Sequence, residues 1–249
     1  MVFRSIQEII SFLTIIPTTK LPNIDIYNIA NRMYLFPLAG LIIGALIGGL
    51  AYGISFYVQP PLIGLIITAA LVIITGVHHT DALADFADGL TAKGGKEVKH
   101  KAMSDPAVGS AGVTALVLYV TGMIIAVSSF HHGIKLLTSI IAAEVIAKYI
   151  MVMQAHRGLS AWEGFSTPFT TAMKDKRKIL SATGITLPIV WFIGSGYTGL
   201  LSLGVSIVIG TIIQYTSNKS FGGISGDVIG ASNEVTRLSS LIVLSSAML

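Results

Sequence analysis

Long apolar runs recur along the whole chain, and no other feature constrains its fold as strongly. Of its 249 residues, 53% are hydrophobic and 11% are charged, and the mean hydropathy is +0.78. Soluble domains average roughly 25% charged residues, so this chain has too little charge to cover the surface of a soluble fold. Runs near the roughly 20 residues that cross a bilayer predict transmembrane helices. We therefore expect an all-α, polytopic membrane protein that forms one integral-membrane domain, residues 1–249.

Six spans are predicted, and a shorter apolar tail is a candidate for a seventh. The spans cover residues 34–58, 61–77, 108–130, 134–154, 179–196 and 199–215, and the tail covers 238–249. The apolar segment 1–17 contains Glu8 and lacks a small-residue cleavage site, so we expect a retained interfacial or membrane helix. In the first span, Gly40, Gly44 and Gly48 recur every fourth residue, which predicts close packing against another helix. The chain has no cysteine, which excludes disulfides and thiolate chemistry.

Basic residues collect on one side of the predicted spans. All but two of the 16 lysines and arginines precede the first span or follow the second, fourth or sixth: Arg4, Lys20, Arg32, Lys93, Lys96, Lys99, Lys101, Arg157, Lys174, Lys176, Arg177, Lys178, Lys219 and Arg237. By the positive-inside rule this side is cytoplasmic. We expect a multi-pass protein of the cytoplasmic membrane, in contact with the lipid bilayer, with its chemistry on the cytoplasmic face. His131 and His132 fall on the opposite side. No nucleic-acid partner is expected, and a homo-oligomer is left open.

Three aspartates follow directly on the second span. Asp81, Asp85 and Asp88 are spaced i, i+4 and i+7, so a helix continued through them would place all three on one stripe, with His78 one turn behind. Carboxylates at the end of a membrane-length helix are costly to bury and need a compensating partner. Magnesium bound to a substrate phosphate is the favoured partner, because Mg²⁺ takes oxygen ligands and commonly bridges one or two carboxylates to phosphate. The alternative is a solvated helix end.

The next segment is basic. Lys93, Lys96, Lys99 and Lys101 follow the aspartates and suit a polyanionic substrate such as a pyrophosphate, although lysines here could also contact lipid headgroups. Asp105, just before the third span, is a candidate fourth oxygen ligand for the metal.

A glycine-rich segment, 221–234, forms a second candidate wall of the site. Its glycines permit a tight turn into a helix that carries Asp227, Gly230 and Glu234 on one face. Free backbone N–H groups at such a helix start can bind phosphate. A glycine-rich turn alone is weak evidence, but a second acidic helix on the same side of the membrane strengthens it.

Several other residues are weaker candidates. Glu144 and Lys148, spaced i, i+4 inside the fourth span, either neutralise each other or face a substrate. Arg157 suits bidentate contact with phosphate. Trp162, Phe165 and Phe169 either anchor the chain at the membrane interface or stack on a ring, and anchoring is the favoured interpretation.

Motifs along the chain resemble those of one known family. The longest are His78-x-x-Asp81-x-Leu83-Ala84-Asp85-x-Ala87-Asp88-Gly89-Leu90, Met103-Ser104-Asp105-x-x-x-Gly109-x-x-Gly112 and Gly222-Gly223-Ile224-Ser225-Gly226-Asp227-Val228-x-Gly230-Ala231. Phe12-Leu13-Thr14-x-x-Pro17 and Phe36-Pro37-Leu38-x-Gly40 also match. In this order they resemble the cobalamin synthase family, the adenosylcobinamide-GDP ribazoletransferases. The chain departs from the pattern at Thr80 and Ala82, usually leucine and glycine. It also has His100, Lys101 and Lys148 where arginine is usual, which bears on substrate affinity more than on reaction type.

The resemblance implies a magnesium-dependent transfer at the membrane. The ribose hydroxyl of α-ribazole, or of its 5′-phosphate, would attack the cobinamide-linked phosphorus of adenosylcobinamide-GDP, and GMP would leave. The implied Mg²⁺ ligands are Asp81, Asp85, Asp88 and Asp105. Asp88 or Asp227 would take the proton of the attacking hydroxyl. Substrate contacts are expected from His78, Lys93, Lys101, Ser104, Arg157, Ser225 and Asn233.

Two alternatives remain at this stage. Asp85-x-x-Asp88-Gly89-x-x-Ala92-Lys93 resembles the first half of the CDP-alcohol phosphotransferase motif, but the second half is missing and the third span contains no acid. A transporter with an acidic ion path would place polar groups near the bilayer midplane, whereas these acids cluster at one membrane face.

Overall fold

The chain is helical, as its apolar runs predict. A computed structural model describes residues 2–18, 25–130 and 133–246; Lys20, His131 and His132 lie outside the described residues. Within these ranges there are twelve α-helices and one 3₁₀ helix, Met33–Leu35, with no strand beyond an isolated bridge between Ser160 and Ile224. The helices are α1 Val2–Leu13, α2 Ile26–Asn31, α3 Phe36–Ile54, α4 Pro60–Ile74, α5 His78–Thr91, α6 Lys96–Met103, α7 Ser110–Ser128, α8 Ile134–Arg157, α9 Thr167–Ala172, α10 Lys176–Ile193, α11 Tyr197–Phe221 and α12 Gly226–Ser246.

The all-α polytopic class is confirmed, with fewer full-length spans than the six or seven expected. Four segments in the described ranges are long and apolar enough to cross a membrane: Met33–Ile54, Ser110–Ser128, Ile134–Arg157 and Tyr197–Phe221. The pair α4 and α5 makes a fifth only if the two helices count as one broken span. The expected spans at α4 and α10 fall short because α4 has 15 residues and α10 begins with Lys176, Arg177 and Lys178.

Helix α8 is the centre of the bundle, because it is buried along nearly its whole length. Helix α3 packs against it through the predicted glycine ladder. A methyl group on Gly40 would lie 2.6 Å from the carbonyl oxygen of Glu144, and one on Gly44 would lie 2.7 Å from the Cα of Ile141. The ladder's role in close packing is therefore confirmed.

The second span does not continue straight into the aspartate helix, and that expectation was wrong. Helices α4 and α5 meet at an angle of 90°. Gly76 and Val77 both have φ near +66°, a left-handed conformation that a β-branched residue such as valine rarely adopts. The backbone N–H of Ile15 donates to the carbonyl of Ile74 at 2.8 Å, so the segment after α1 is fastened to the end of α4. The bend leaves the three aspartates on α5, which runs across the end of α4.

Helix α12 corrects a second expectation. From the sequence, Arg237 was predicted to lie on the cytoplasmic side of the membrane, and residues 238–249 were predicted to form a separate apolar tail. Instead one helix runs from Gly226 to Ser246, and Arg237 lies inside it with 1% of its surface exposed. The side chain is buried because acidic partners surround it, as described below.

Candidate active site

A cavity of about 530 Å³ opens where α5 and α12 begin, beside the C-terminal end of α1 and the start of α3. Four of the predicted site residues line it, namely His78, Asp81, Ser225 and Asp227. The two helices come close here because residue 230 is glycine: a methyl group at this position would lie 2.6 Å from the Cβ of Ala82. The cavity therefore brings together the two acidic segments that the sequence identified separately.

The aspartates of α5 form an acidic cluster with Asp227. Asp81 is exposed, and Asp85 and Asp88 are half-buried. Burial and, in decreasing order, the nearby carboxylates of Asp81, Asp227 and Asp88 together raise the pKa of Asp85 from 3.8 to about 6. The carboxylates thus lie close enough to repel one another, which is the electrostatic environment that a cation would stabilise.

Asp88 differs from the other two because it caps a neighbouring helix. Its carboxylate accepts hydrogen bonds from the backbone N–H groups of Gly109, at 2.7 Å, and Gly112, at 2.8 Å, at the start of α7. A methyl group at either glycine would lie 2.5 Å from an Asp88 oxygen. The spacing of Gly109 and Gly112 in the third span is thereby explained as the space required by this cap.

Asp227 occupies the first turn of α12. Its carboxylate accepts a hydrogen bond of 3.2 Å from the Ser225 hydroxyl, which in turn accepts one of 3.3 Å from the N–H of Val228. Burial raises the pKa of Asp227, an effect that the hydrogen bond from Ser225 opposes and that the nearby charge of Asp81 increases. Asp227 therefore holds a proton more readily than an exposed aspartate does.

The glycine-rich turn before α12 fixes a loop over the cavity. Gly222 adopts φ +90°, and a methyl group on Gly223 would lie 2.5 Å from the carbonyl oxygen of Leu159. This close approach allows Ile224 to pair with the 158–166 loop, through Ile224 N–H to the Leu159 carbonyl at 2.8 Å and Ala161 N–H to the Ile224 carbonyl at 2.9 Å. The loop carries Trp162, Phe165 and Ser166, all of which line the cavity.

The remaining predicted residues lie away from the cavity lining. Lys93, Lys101, Ser104 and Asp105 are exposed in α6 or beside it. One Asp105 oxygen accepts from the N–H of Ala107 at 2.9 Å. Arg157 is exposed at the end of α8, and Asn233 is fully buried one layer behind the cavity. In the ranges described, no three His, Asp or Glu side chains are already placed to hold a metal ion together.

Residues 5–245 match the family model of cobalamin-5-phosphate synthase. The chain belongs to this family. It is 31% identical to the adenosylcobinamide-GDP ribazoletransferase of Methanosarcina barkeri, over 94% of this chain and 88% of that protein. It is 29% identical to the protein of the same name from Methanococcoides burtonii, over 98% of this chain and 92% of the relative. A third such relative, from Methanocella arvoryzae, is 27% identical over 98% of this chain and 96% of its own. No solved structure matches the chain.

Behind the cavity, this cobalamin synthase family member has a buried ionic network that the sequence indicated only in part. The carboxylate of Glu144 lies 3.5 Å from the Lys148 ammonium nitrogen, as the i, i+4 spacing suggested, and it also accepts a short hydrogen bond from the Arg237 guanidinium. Arg237 donates to Glu234 at 2.5 Å and to the Tyr119 hydroxyl at 3.0 Å. The network joins α7, α8 and α12.

The network reaches the cavity through His79, a residue that the sequence analysis missed. Lys148 donates to the Asn233 side-chain oxygen at 2.7 Å, which orients the amide so that its nitrogen faces Glu234, at 2.9 Å, and His79 Nδ1, at 3.2 Å. His79 also lines the cavity. Its adjacency to the aspartate stripe was the available signal, but only the fold shows that His79, and not His78, contacts the network.

Proposed function

We propose that the chain is an adenosylcobinamide-GDP ribazoletransferase, which joins adenosylcobinamide-GDP to α-ribazole or its 5′-phosphate and releases GMP. The observation that carries this proposal is the cavity between Asp81 and Asp227, in a chain that belongs to the cobalamin-5-phosphate synthase family. A reaction at a pyrophosphate needs acidic groups that can hold a cation and a group that can accept a proton. The cavity offers both within one space.

The donor set of the cavity fits Mg²⁺ as the metal of this reaction. Burial first, and then the nearby carboxylates of Asp81, Asp227 and Asp88, raise the pKa of Asp85, and all of the candidate ligands are oxygens. Mg²⁺ commonly uses only one or two protein carboxylates and completes its shell with water and substrate phosphate, so three preplaced ligands are not required. Asp81 and Asp85 would hold it. Asp105 is left out because its exposed carboxylate is turned toward its own loop. When bound, the ion would neutralise charge on the pyrophosphate oxygens.

Asp227 is the better candidate for the base that accepts the proton of the attacking hydroxyl. Its carboxylate faces the cavity, and burial raises its pKa toward the range in which proton transfer is efficient. Asp88 was the other candidate, but both of its oxygens are occupied by backbone N–H groups of α7. Asp88 would support the acidic cluster from behind and keep α7 in place.

The cavity would face the cytoplasm. It lies at the ends of α3, α8 and α12 where the basic residues of the described chain collect, including Arg32, Arg157 and Lys219. By the positive-inside rule these ends are cytoplasmic. Both nucleotide substrates and magnesium are available on that side, so the orientation and the proposed reaction agree.

Purified protein in detergent, incubated with adenosylcobinamide-GDP, α-ribazole and MgCl₂, tests the function through GMP release. Native protein should release GMP only with both substrates present. Asp227→Asn should lower kcat by about 10²–10⁴-fold, the usual loss of a general base. Asp81→Asn should raise the magnesium concentration needed for half-maximal rate, whereas the exposed Asp105→Asn should change neither value. Absence of GMP release by the native protein would exclude the function. Loss of magnesium dependence in Asp105→Asn would mean that Asp105 is also a ligand of the metal.

A further inference from the structure

Aromatic side chains from four parts of the chain line one side of the cavity. Phe12 comes from α1, Phe36 from α3, Trp162 and Phe165 from the 158–166 loop, and Phe169 from α9. The Phe12 ring lies parallel to that of Phe165, with centroids 6.0 Å apart and an interplanar angle of 10°. Phe12 also contacts Phe169 at a centroid distance of 5.8 Å. The four phenylalanine rings form a continuous cluster.

Burial argues against membrane anchoring for Phe169, one of the three aromatic residues for which the sequence favoured that role. Phe36 and Phe169 are 1% and 3% exposed, so they cannot reach the headgroup region. Only Phe165, with 57% of its surface exposed, stands at the rim. The cavity therefore has two unlike sides, an aromatic one and an acidic one that contains Asp81 and Asp227.

Trp162 is held in one orientation before any ligand binds. Its indole stacks on the imidazole of His100, with centroids 3.7 Å apart and an interplanar angle of 25°, and its edge meets Phe221 at 6.4 Å. A side chain fixed between two rings loses little conformational entropy when it binds a third, so this arrangement is preorganised for stacking.

We propose that this aromatic side, Phe12, Phe36, Trp162, Phe165 and Phe169, is the subsite for the planar base of α-ribazole. The inference rests on the proposed function and assigns an orientation within it: the base lies among the aromatic rings and the ribose hydroxyl points toward Asp227. A nucleoside has this same division, with a flat apolar ring at one end and hydroxyl groups at the other. Stacking between a base and aromatic side chains is a recurrent mode of nucleoside recognition.

The other parts of the two substrates fit this side less well. Guanine carries carbonyl, amino and ring N–H groups that would lose their hydrogen bonds to water among phenylalanine rings, whereas a substituted benzimidazole has few such groups to satisfy. A cavity of about 530 Å³ suits a ligand of nucleoside size. The corrin ring with its amide side chains is far larger than a nucleoside, so it would remain at the mouth.

Tryptophan fluorescence tests binding directly. The chain has two tryptophans, and the second, Trp191, lies on α10 against Tyr197, at 5.3 Å. In Trp191→Phe, which leaves Trp162 as the sole tryptophan, α-ribazole should quench the tryptophan emission in a saturable way, and GMP should not. Trp162→Phe, which retains Trp191, is the matched control and should show no quenching. Quenching by GMP, or no saturable quenching by α-ribazole, would overturn the assignment.

Steady-state kinetics supply a second measurement that does not depend on fluorescence. Trp162→Leu and Phe165→Leu should each raise the KM for α-ribazole on the order of tenfold, the usual effect of losing one stacking partner, and leave the KM for adenosylcobinamide-GDP unchanged. Phe165 is exposed, so its variant should fold. Trp162→Phe should retain most of the affinity because it keeps an aromatic face. Phe56→Leu, on the far side of the bundle, is the control.

The possible outcomes separate this inference from the proposed function. A native protein that releases GMP, combined with an unchanged KM for α-ribazole in both leucine variants, would overturn the subsite alone. A rise in the KM for adenosylcobinamide-GDP instead would place guanine or the corrin among the rings and would also overturn it. A native protein that releases no GMP but whose Trp162 emission α-ribazole quenches would exclude the reaction and retain the binding site.

Discussion

Acidic side chains occur in this molecule in two contrasting environments only one layer apart. Glu144 and Glu234 are fully buried, and each contacts Arg237, while Lys148 adds a second cation beside Glu144. Asp81 and Asp227 line the cavity, and Asp85 lies one turn beyond Asp81 on α5. None of the three has a lysine or arginine nitrogen within 4 Å in the ranges that the structure describes. The buried acids are neutralised by the protein itself, whereas the cavity acids are left unneutralised.

The difference indicates what each group does. Buried charges in an apolar bundle are tolerated only when they are paired and hydrogen-bonded, and the network satisfies this requirement with two acids and two bases. Its members come from α8 and α12, so pairing also fixes the relative position of these helices. Unpaired carboxylates at a cavity weaken the free protein and are retained where a ligand compensates for them. The contrast supports a structural role for the network and, under the proposed function, a binding role for the cavity cluster.

Removing the central cation of the network tests this contrast most strongly. In Arg237→Met, Glu144 and Glu234 lose their main partner inside the bundle, which typically costs about 3–5 kcal/mol. The midpoint of thermal unfolding, followed by circular dichroism in detergent, should fall by roughly 6 °C or more. Arg177→Met makes the same change at an exposed position and should leave the midpoint unchanged. A variant Arg237→Met as stable as the native protein would mean that the network is not structural.

The glycine ladder provides a steric test of the same region. A methyl group on Gly44 would lie 2.7 Å from the Cα of Ile141 and 3.3 Å from the Cβ of Glu144, so it would push α3 away from the helix that carries the network. Gly44→Ala should cost about 1–3 kcal/mol, measured as a fall in the unfolding midpoint. On the same helix, Gly49 and Gly53 have no neighbour within 4 Å of such a methyl group. Gly49→Ala should therefore stabilise the protein, by up to about 1 kcal/mol. Equal effects at the two positions would contradict the packing argument.

Asp88 allows a further test of the difference between the two groups of acids. Its spacing in the sequence assigns it to the acidic cluster, but its carboxylate accepts backbone hydrogen bonds, as a structural residue would. Asp88→Ala removes the acceptor of two backbone N–H groups at the start of α7 and should cost about 0.5–2 kcal/mol. Asp81→Ala removes an exposed carboxylate and should leave the unfolding midpoint nearly unchanged. The two midpoints, measured without magnesium, should differ in this direction. A reversed order would assign Asp88 to ligand binding and Asp81 to the fold.

The sequence predicted those parts of the fold that depend on local pattern. Apolar runs predicted the helices, and glycine at every fourth position predicted that α3 packs closely against another helix. The i, i+4, i+7 spacing placed three aspartates on one helix. The bend before that helix escaped prediction for two reasons. Val77 adopts a positive φ, which valine disfavours, and the adjacent backbone hydrogen bond between Ile15 and Ile74 joins distant parts of the chain. Arg237 was misplaced for the same reason, because its partner Glu144 is 93 residues away.

In the candidate site too, the sequence predicted what depends on local pattern and missed what depends on distant parts of the chain. Motif spacing identified His78, Asp81, Ser225 and Asp227, which all line the cavity. The glycine-rich turn indicated the start of the helix that carries Asp227, whereas α5 begins after the bend that escaped prediction. Lys93, Lys101 and Arg157 were predicted as substrate contacts from their charge, but they do not line the cavity, because the position of exposed side chains in loops and at helix ends depends on how those segments fold. His79 adjoins the aspartate stripe and Phe12 begins a matched motif, but neither signal shows that the side chain reaches the cavity.

Asp85 gives the smallest expected change and the one most specific to the cavity cluster. Its pKa is raised from 3.8 to about 6, so the folded protein binds this proton more tightly than the unfolded chain does. Stability from this group is therefore present at low pH and is lost as pH rises through about 6. Asp85→Asn removes the effect. In the absence of magnesium the variant should unfold a few degrees above the native protein at pH 7.5, with the difference narrowing toward pH 4.5. The exposed Asp105→Asn should show no such trend. If the unfolding midpoints of the native protein and Asp85→Asn differed by the same amount at both pH values, Asp85 would be neutralised within the protein, as Glu144 and Glu234 are.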